Sequence, residues 1–247
     1  MAKGSGGTRT VGPGKKGEGQ ESTPRVLIPG VNDPELTDAI KDYYLPAGVR
    51  GKINEIKELD TFSKLQDYFA ERGIELRTDN EKLNGELKDT YLKYVAETGQ
   101  KLAAAVETYR ELFGKNALSK LKTITLGDAT LQNKASFHYN EPGENDPYAG
   151  TLRIKGFDAS GYVVFHELAH AFQYSKTKKG ESLKAAADRL IKKGKLDASV
   201  KAYSGANTSA AGIDAERMAD AMGHGFAQGS KKGLAFINGL IKAYKRK

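Results

Sequence analysis

The sequence predicts an α+β fold, and two features of its hydrophobic pattern carry that prediction. Apolar residues recur at steps of three and four from Leu83 to Phe113, which is the period of one long amphipathic helix over residues 80–113. After Gly114 the pattern changes to short segments in which apolar or β-branched residues alternate with polar ones. Such alternation is typical of strands, and it is found at residues 121–126, 135–139 and 151–155.

Helical periodicity also occurs on both sides of this region. Apolar spacing predicts further helices at residues 61–72, 162–174, 182–193, 213–227 and 234–244. A short helix is expected after Asp33-Pro34 and should stop near Pro46. Residues 1–25 are rich in Gly and Lys and contain little that could pack, so a disordered tail is expected there. The predicted organisation is this tail, a helical N-terminal segment of residues 26–117, and a larger unit of residues 118–247.

The composition excludes several classes of protein. The chain has no Cys, so it forms neither a disulfide nor a site with thiolate ligands, and a metal would have to bind to histidine and carboxylate side chains. No apolar run is long enough to span a bilayer, and the first 20 residues do not resemble a secretory signal. These observations predict a cytoplasmic protein with no membrane partner.

The formal net charge is +8, and the basic residues are concentrated at the two ends of the chain and in residues 176–201. A basic surface attracts nucleic acid or an acidic partner. However, the basic segments lack interleaved aromatic residues, and the chain contains no recognisable nucleic-acid-binding motif. The basic charge is therefore expected to serve solubility first. Binding of nucleic acid through the basic termini is kept as an alternative.

The most informative motif is His166-Glu167-Leu168-Ala169-His170, which has the form HExxH. Two histidines four residues apart on a helix present both imidazoles on one face, close enough to share a metal ion. The intervening Glu167 points to the adjacent flank, where its carboxylate can take a proton from a water molecule that the metal activates. The motif predicts a zinc site; the alternative is an amphipathic helix with two solvent-facing histidines.

Two histidines hold zinc weakly, so a third protein ligand is expected. The longer metzincin motif is excluded, because the positions where it requires Gly and His are Gln173 and Lys176. The candidate is then a carboxylate from a later helix. Glu216 and Asp220 lie four residues apart, so one could bind the metal while the other accepts a hydrogen bond from the free nitrogen of a ligating histidine. Asp214 is a second candidate ligand.

HExxH followed by Glu-x-x-x-Asp resembles the gluzincin branch of the zincin metallopeptidases. The resemblance covers residues 120–228 and implies a zincin-like catalytic domain with a small mixed sheet, an active-site helix and C-terminal helices. One departure from the compact members is the longer gap between His170 and Glu216, which a basic helix fills. The Gly-rich tail and the helices ahead of this part resemble those of phage-encoded virion proteins.

The family's site residues carry over by motif. The resemblance implies that His166, His170 and Glu216 bind Zn²⁺, that Glu167 is the general base, and that Asp220 supports a histidine. It also implies that an edge strand, residues 135–139, binds the backbone of the substrate.

Hydrolysis of a peptide at zinc builds negative charge on the former carbonyl oxygen, which a Tyr or His donor usually stabilises. Four residues are candidates for this role: Tyr203, Tyr174, His138 and His224. Tyr203 ranks first because it precedes the Gly/Ser/Asn-rich segment that leads to Glu216.

The function predicted from the sequence is a zinc-dependent endopeptidase acting on a protein or peptide substrate, with Glu167 as general base. A protein of another class is the first alternative: a structural or virion-associated protein that keeps a zincin scaffold without turnover. The second alternative is a basic nucleic-acid-binding protein. The sequence does not specify the substrate, because loops shape the pockets that select it.

Overall fold

The computed structural model describes residues 27–29, 38–78, 88–139, 147–175, 182–193 and 210–245. In these ranges the protein is α+β, with a four-stranded mixed sheet, a two-stranded sheet and eight helices. The predicted tail of residues 1–25 lies outside the described residues.

The larger sheet has the strand order β3-β4-β6-β5. Its strands are β3 (Glu75–Thr78), β4 (Thr123–Leu126), β5 (Ala135–His138) and β6 (Thr151–Ile154). The first three in this order run parallel, whereas β5 pairs antiparallel with β6 and forms an edge. The three strands predicted after Gly114 are confirmed; β4 and β6 are buried at most positions, whereas the edge strand β5 is mostly half-buried.

The smaller sheet corrects one expectation. β1 (Leu27–Pro29) pairs antiparallel with β2 (Tyr44–Pro46), whereas a helix was expected to run up to Pro46. Residues 38–42 form a turn instead, and residues 34–37 lie outside the described part. A residue that precedes proline is disfavoured from the helical region, so Leu45 is extended and helix begins only after Pro46.

Six of the eight described helices follow the predicted periodicity, whereas the two short ones at residues 47–50 and 53–57 were not predicted. The eight are α1 (Ala47–Arg50), α2 (Ile53–Lys57), α3 (Phe62–Ala70), α4 (Lys88–Phe113), α5 (Gly161–Gln173), α6 (Leu183–Lys192), α7 (Ala210–Gln228) and α8 (Lys231–Lys245). α4 is the predicted long helix, apart from residues 80–87, which are outside the described part. It ends before Gly114, whose φ of 95° lies in the left-handed region that favours glycine.

An aromatic cluster joins α4 to α5 and α7. Tyr109 is fully buried at its centre, with ring-centroid distances of 5.4 Å to Phe172 and 5.8 Å to Phe226. Its hydroxyl donates a hydrogen bond of 2.8 Å to the backbone oxygen of Phe165. The cluster therefore fixes the position of α5, which carries the HExxH motif, against the long helix.

The buried core runs as one cluster from Ile40 to Ile241, and β3, from the predicted N-terminal segment, pairs with β4. The division of the chain at residue 118 stays a prediction. Among the described residues, no helix has both the length and the apolar character needed to cross a membrane.

A buried ion-pair network ties α4 to the segment ahead of it. The Glu107 side chain accepts hydrogen bonds from Lys52 at 2.5 Å, Arg72 at 2.6 Å and the Tyr68 hydroxyl at 3.1 Å. Burial alone raises the pKa of Glu107, but the hydrogen bonds from Lys52 and Arg72 outweigh burial and lower that pKa. Glu107 therefore stays charged in the folded protein at neutral pH.

We expect Glu107→Gln to lower the free energy of unfolding by about 3 kcal/mol at pH 7, because Arg72 keeps its charge and loses its buried carboxylate partner. Since folding lowers the pKa of Glu107, this stabilisation is present above the unfolded pKa of about 4.3 and is lost as pH falls through the folded pKa. Urea unfolding of both proteins across this pH range is the measurement. Asp60→Asn, which breaks an exposed pair with Lys64, is the control and should have little effect. Equal stability of the Glu107→Gln and wild-type proteins at pH 7 would contradict the assignment.

Candidate metal centre

The HExxH motif lies in α5, whose amphipathic pattern orients its two histidines. The helix begins at Ser160, whose side chain accepts a hydrogen bond of 3.3 Å from the backbone nitrogen of Val163. Its apolar face is buried against α4, α7 and the sheet. His166 and His170 lie one turn apart and are partly exposed, and their Nε2 atoms are 3.2 Å apart.

α7 brings the carboxylates to this face. α7 and α5 form the most extensive contact between described elements, and the buried residues of α7 include Met218, Ala219 and Met222. Gly223 permits the close approach, because a Cβ atom at this position would lie 2.8 Å from the ring of Tyr162. The crossing of α5 and α7 therefore determines which side chains of α7 reach the histidines.

Glu216 is the side chain that reaches both imidazoles. Its Oε2 lies 3.4 Å from Nε2 of His166, and its Oε1 lies 3.5 Å from Nε2 of His170. Among the described residues, these three form the one group of His, Asp and Glu side chains that could hold a metal ion. Asp214, the other candidate ligand, has a side chain outside the described part.

The separations between these atoms fit a tetrahedral ion. Bonds of about 2.0–2.2 Å in tetrahedral geometry separate ligand atoms by about 3.3–3.6 Å. The Nε2–Nε2 distance of 3.2 Å and the two Nε2–O distances of 3.4 and 3.5 Å lie close to that range. Three ligand atoms at these spacings leave a fourth position free for a water molecule or a substrate atom.

The charges around the group favour a cation. Burial lowers the pKa of His166, but hydrogen bonds to Asp220 and Glu216 outweigh burial and raise that pKa to about 9. The hydrogen bond with His166 lowers the pKa of Glu216, although burial opposes the change. Two carboxylates thus stabilise a positive charge at the imidazoles, and either a proton or a metal ion can supply that charge.

Each histidine has an oxygen acceptor at its other ring nitrogen. Nδ1 of His166 lies 3.2 Å from Oδ1 of Asp220, which is buried, and Nδ1 of His170 lies 3.3 Å from Oε1 of Gln173. Gln173 is held in turn by a hydrogen bond of 2.6 Å from its Nε2 to the backbone oxygen of Ala215. A proton on each Nδ1 leaves Nε2 unprotonated and directed at the group, which is the form that binds a metal.

Two side chains near the group were not assigned roles from the sequence. Gln173 is three residues beyond His170, and Tyr162 is four residues before His166, so helical spacing places each beside a histidine. The Tyr162 hydroxyl donates a hydrogen bond to Oδ1 of Asp220 and lies 3.3 Å from Nδ1 of His166. This spacing was the sequence feature that could have identified both residues. It does not show which side chains of a neighbouring helix they contact.

The other predicted site residues are not part of this three-residue group. Glu167 is partly exposed beside the histidines, and its charge is among those that raise the pKa of His166. The Tyr174 ring stacks on that of Tyr139 at a centroid distance of 3.5 Å, and His138 lies 3.2 Å from the Ser136 hydroxyl. His224 interacts with Gln228 at 2.7 Å and with the Tyr162 ring. Tyr203, the first-ranked donor, lies outside the described residues.

Comparisons with protein-family models, with curated proteins and with solved structures give no match to this chain.

Proposed function

We propose that the protein is a zinc-dependent endopeptidase with a zincin-like domain. The observation that carries the proposal is the arrangement of His166, His170 and Glu216, whose ligand atoms have tetrahedral spacing and whose outer partners orient both imidazoles. Two imidazoles and one carboxylate are a donor set that zinc takes in hydrolases, and the chain offers no thiolate as an alternative ligand.

Zinc bound by these residues would lower the pKa of a water molecule and polarise a peptide carbonyl. Glu167 is the side chain proposed to accept the proton of that water and to deliver it to the leaving nitrogen. Its place between the two histidines supports this role, because the helix holds its carboxylate beside the group while His166 and His170 face the metal. Asp220 and Gln173 hold the imidazoles in orientation during these proton transfers.

The position of β5 supports a peptide as the substrate. In the described sheet β5 is an edge strand, and it packs against α5. An edge strand presents backbone donors and acceptors that can pair with an extended chain. We therefore propose that the substrate backbone adds to the sheet along residues 135–139, next to the helix that carries Glu167.

The test is the metal content of the purified protein together with its hydrolysis of an unstructured protein substrate. We expect about one zinc ion per chain in the wild type and little in His166→Ala, because one metal bond is deleted. His138→Gln is the matched control for zinc content alone, since His138 interacts with Ser136 and is not one of the proposed ligands. Equal zinc content in the wild type and His166→Ala would contradict the proposed metal site. Zinc binding without hydrolysis would favour the structural or virion-associated alternative.

A further inference from the structure

Tyr162 forms a contact that the proposed reaction does not use. It lies in the first turn of α5, four residues before His166, and its hydroxyl donates to Oδ1 of Asp220 on α7. The same Oδ1 lies 3.2 Å from Nδ1 of His166, and the Tyr162 oxygen lies 3.3 Å from that nitrogen. The three polar groups therefore form a closed triangle behind the metal-binding face.

Asp220 depends on this triangle for its orientation. Its side chain is 1% exposed and is therefore shielded from bulk solvent. Oδ1 takes both contacts, and the buried Oδ2 has no hydrogen-bond partner among the described residues. Because only Oδ1 is hydrogen-bonded, the carboxylate can rotate about its side-chain torsions when Oδ1 loses one of its two partners. The Tyr162 hydroxyl is one of those two partners, and His166 is the other.

The Tyr162 ring is positioned by α7 itself. A Cβ atom at Gly223 would lie 2.8 Å from two ring atoms and 3.1 Å from the backbone oxygen of Tyr162, so the ring occupies space that glycine leaves open. The centroid of the ring also lies 4.8 Å from that of the His224 ring. The hydroxyl therefore reaches Asp220 because α7 has glycine at this position.

We infer that Tyr162 is a positioning residue of the metal centre: it holds Asp220 so that His166 presents Nε2 to the metal. This inference rests on the proposed function, because it assigns a role within the same site. The Tyr162 hydroxyl contacts Asp220 and His166, so the role inferred for it acts through these two side chains. Loss of its hydroxyl should weaken zinc binding without deleting a metal bond.

The first measurement is the zinc affinity of the full-length chain, determined by competition with a chelator. We expect Tyr162→Phe to weaken zinc binding by about 10-fold, the lower end of the range for lost outer partners of a ligand. Gly223→Ala should weaken it in the same direction, because the added methyl group displaces the ring. Gly223→Ala also keeps the inference testable if Tyr162→Phe does not fold.

Tyr109→Phe is the matched control. It removes a buried tyrosine hydroxyl that also bonds to α5, at the backbone oxygen of Phe165. We expect this variant to melt at a lower temperature and to bind zinc with wild-type affinity. A general loss of helix packing would weaken zinc binding in both tyrosine variants, whereas positioning through Asp220 affects Tyr162→Phe alone.

The second measurement is a double-mutant cycle. If Tyr162 acts through Asp220, Tyr162→Phe has no further effect on zinc affinity in an Asp220→Ala background. Independent, additive losses would overturn the inference, as would wild-type zinc affinity in Tyr162→Phe. In either case zinc binding by the wild type would leave the proposed function standing. A wild-type chain that binds no zinc would contradict the proposed function and, with it, this inference.

Discussion

We expect Glu167→Gln to lower the rate of peptide hydrolysis by about 10²–10⁴-fold, the usual loss when a general base is removed. The amide keeps the shape of the side chain but cannot accept the proton of the attacking water. Since Glu167 is not one of the three proposed ligands, the variant should keep its zinc and its fold. The measurements are turnover of an unstructured protein, zinc content and thermal unfolding.

Glu97→Gln is the matched control for this prediction. Glu97 lies on α4, with a partly exposed side chain 3.9 Å from Lys93, and the same chemical change there should leave turnover unchanged. Wild-type hydrolysis by Glu167→Gln would show that Glu167 is not the base. Loss of zinc from Glu167→Gln would instead show that this carboxylate contributes to the metal site directly.

The second large effect is expected from the two acids of α7. Glu216→Ala should lose most of its zinc, because it deletes a metal bond. Asp220→Ala should weaken metal affinity by about 10–100-fold and no more, because Asp220 acts through Nδ1 of His166. Metal analysis and chelator competition on both variants show which substitution weakens zinc binding more. The larger loss identifies the ligand, and the smaller one identifies the residue that supports a histidine.

Asp128→Ala is a control matched for burial. Asp128 is 1% exposed and bonds to Arg153 at 2.6 Å, so its loss should lower stability while zinc affinity stays at the wild-type value. If Asp220→Ala strips the zinc while Glu216→Ala retains it, the two roles must be exchanged. The resemblance to gluzincins would then lose its main support.

Local periodicity made several parts of this protein predictable from the sequence. The steps of three and four that predicted α4 and α5 come from one helix turn, and the alternation that predicted β4, β5 and β6 comes from the pleat of a strand. The spacing of His166 and His170 belongs to the same class of information, since four residues on a helix place two side chains on one face. None of these features depends on what packs against the element.

The short N-terminal elements were less predictable. The segment before Pro46 has apolar spacing compatible with a helix, yet Tyr44–Pro46 pairs with Leu27–Pro29 as a strand. The pairing joins residues far apart in the chain, and no local pattern encodes it. The parallel pairing of β3 with β4 across the whole of α4 is a second example.

The sequence by itself determined that two histidines and Glu167 share one helix, and that two acids share another. Only the tertiary structure decided that Glu216 meets both Nε2 atoms while Asp220 meets Nδ1 of His166. The contact of Tyr162 with Asp220 was decided in the same way, through the close approach that Gly223 allows. The physical reason is that spacing within a helix is set by its own backbone, whereas contacts between helices depend on their crossing, which is set by the packing of both buried faces.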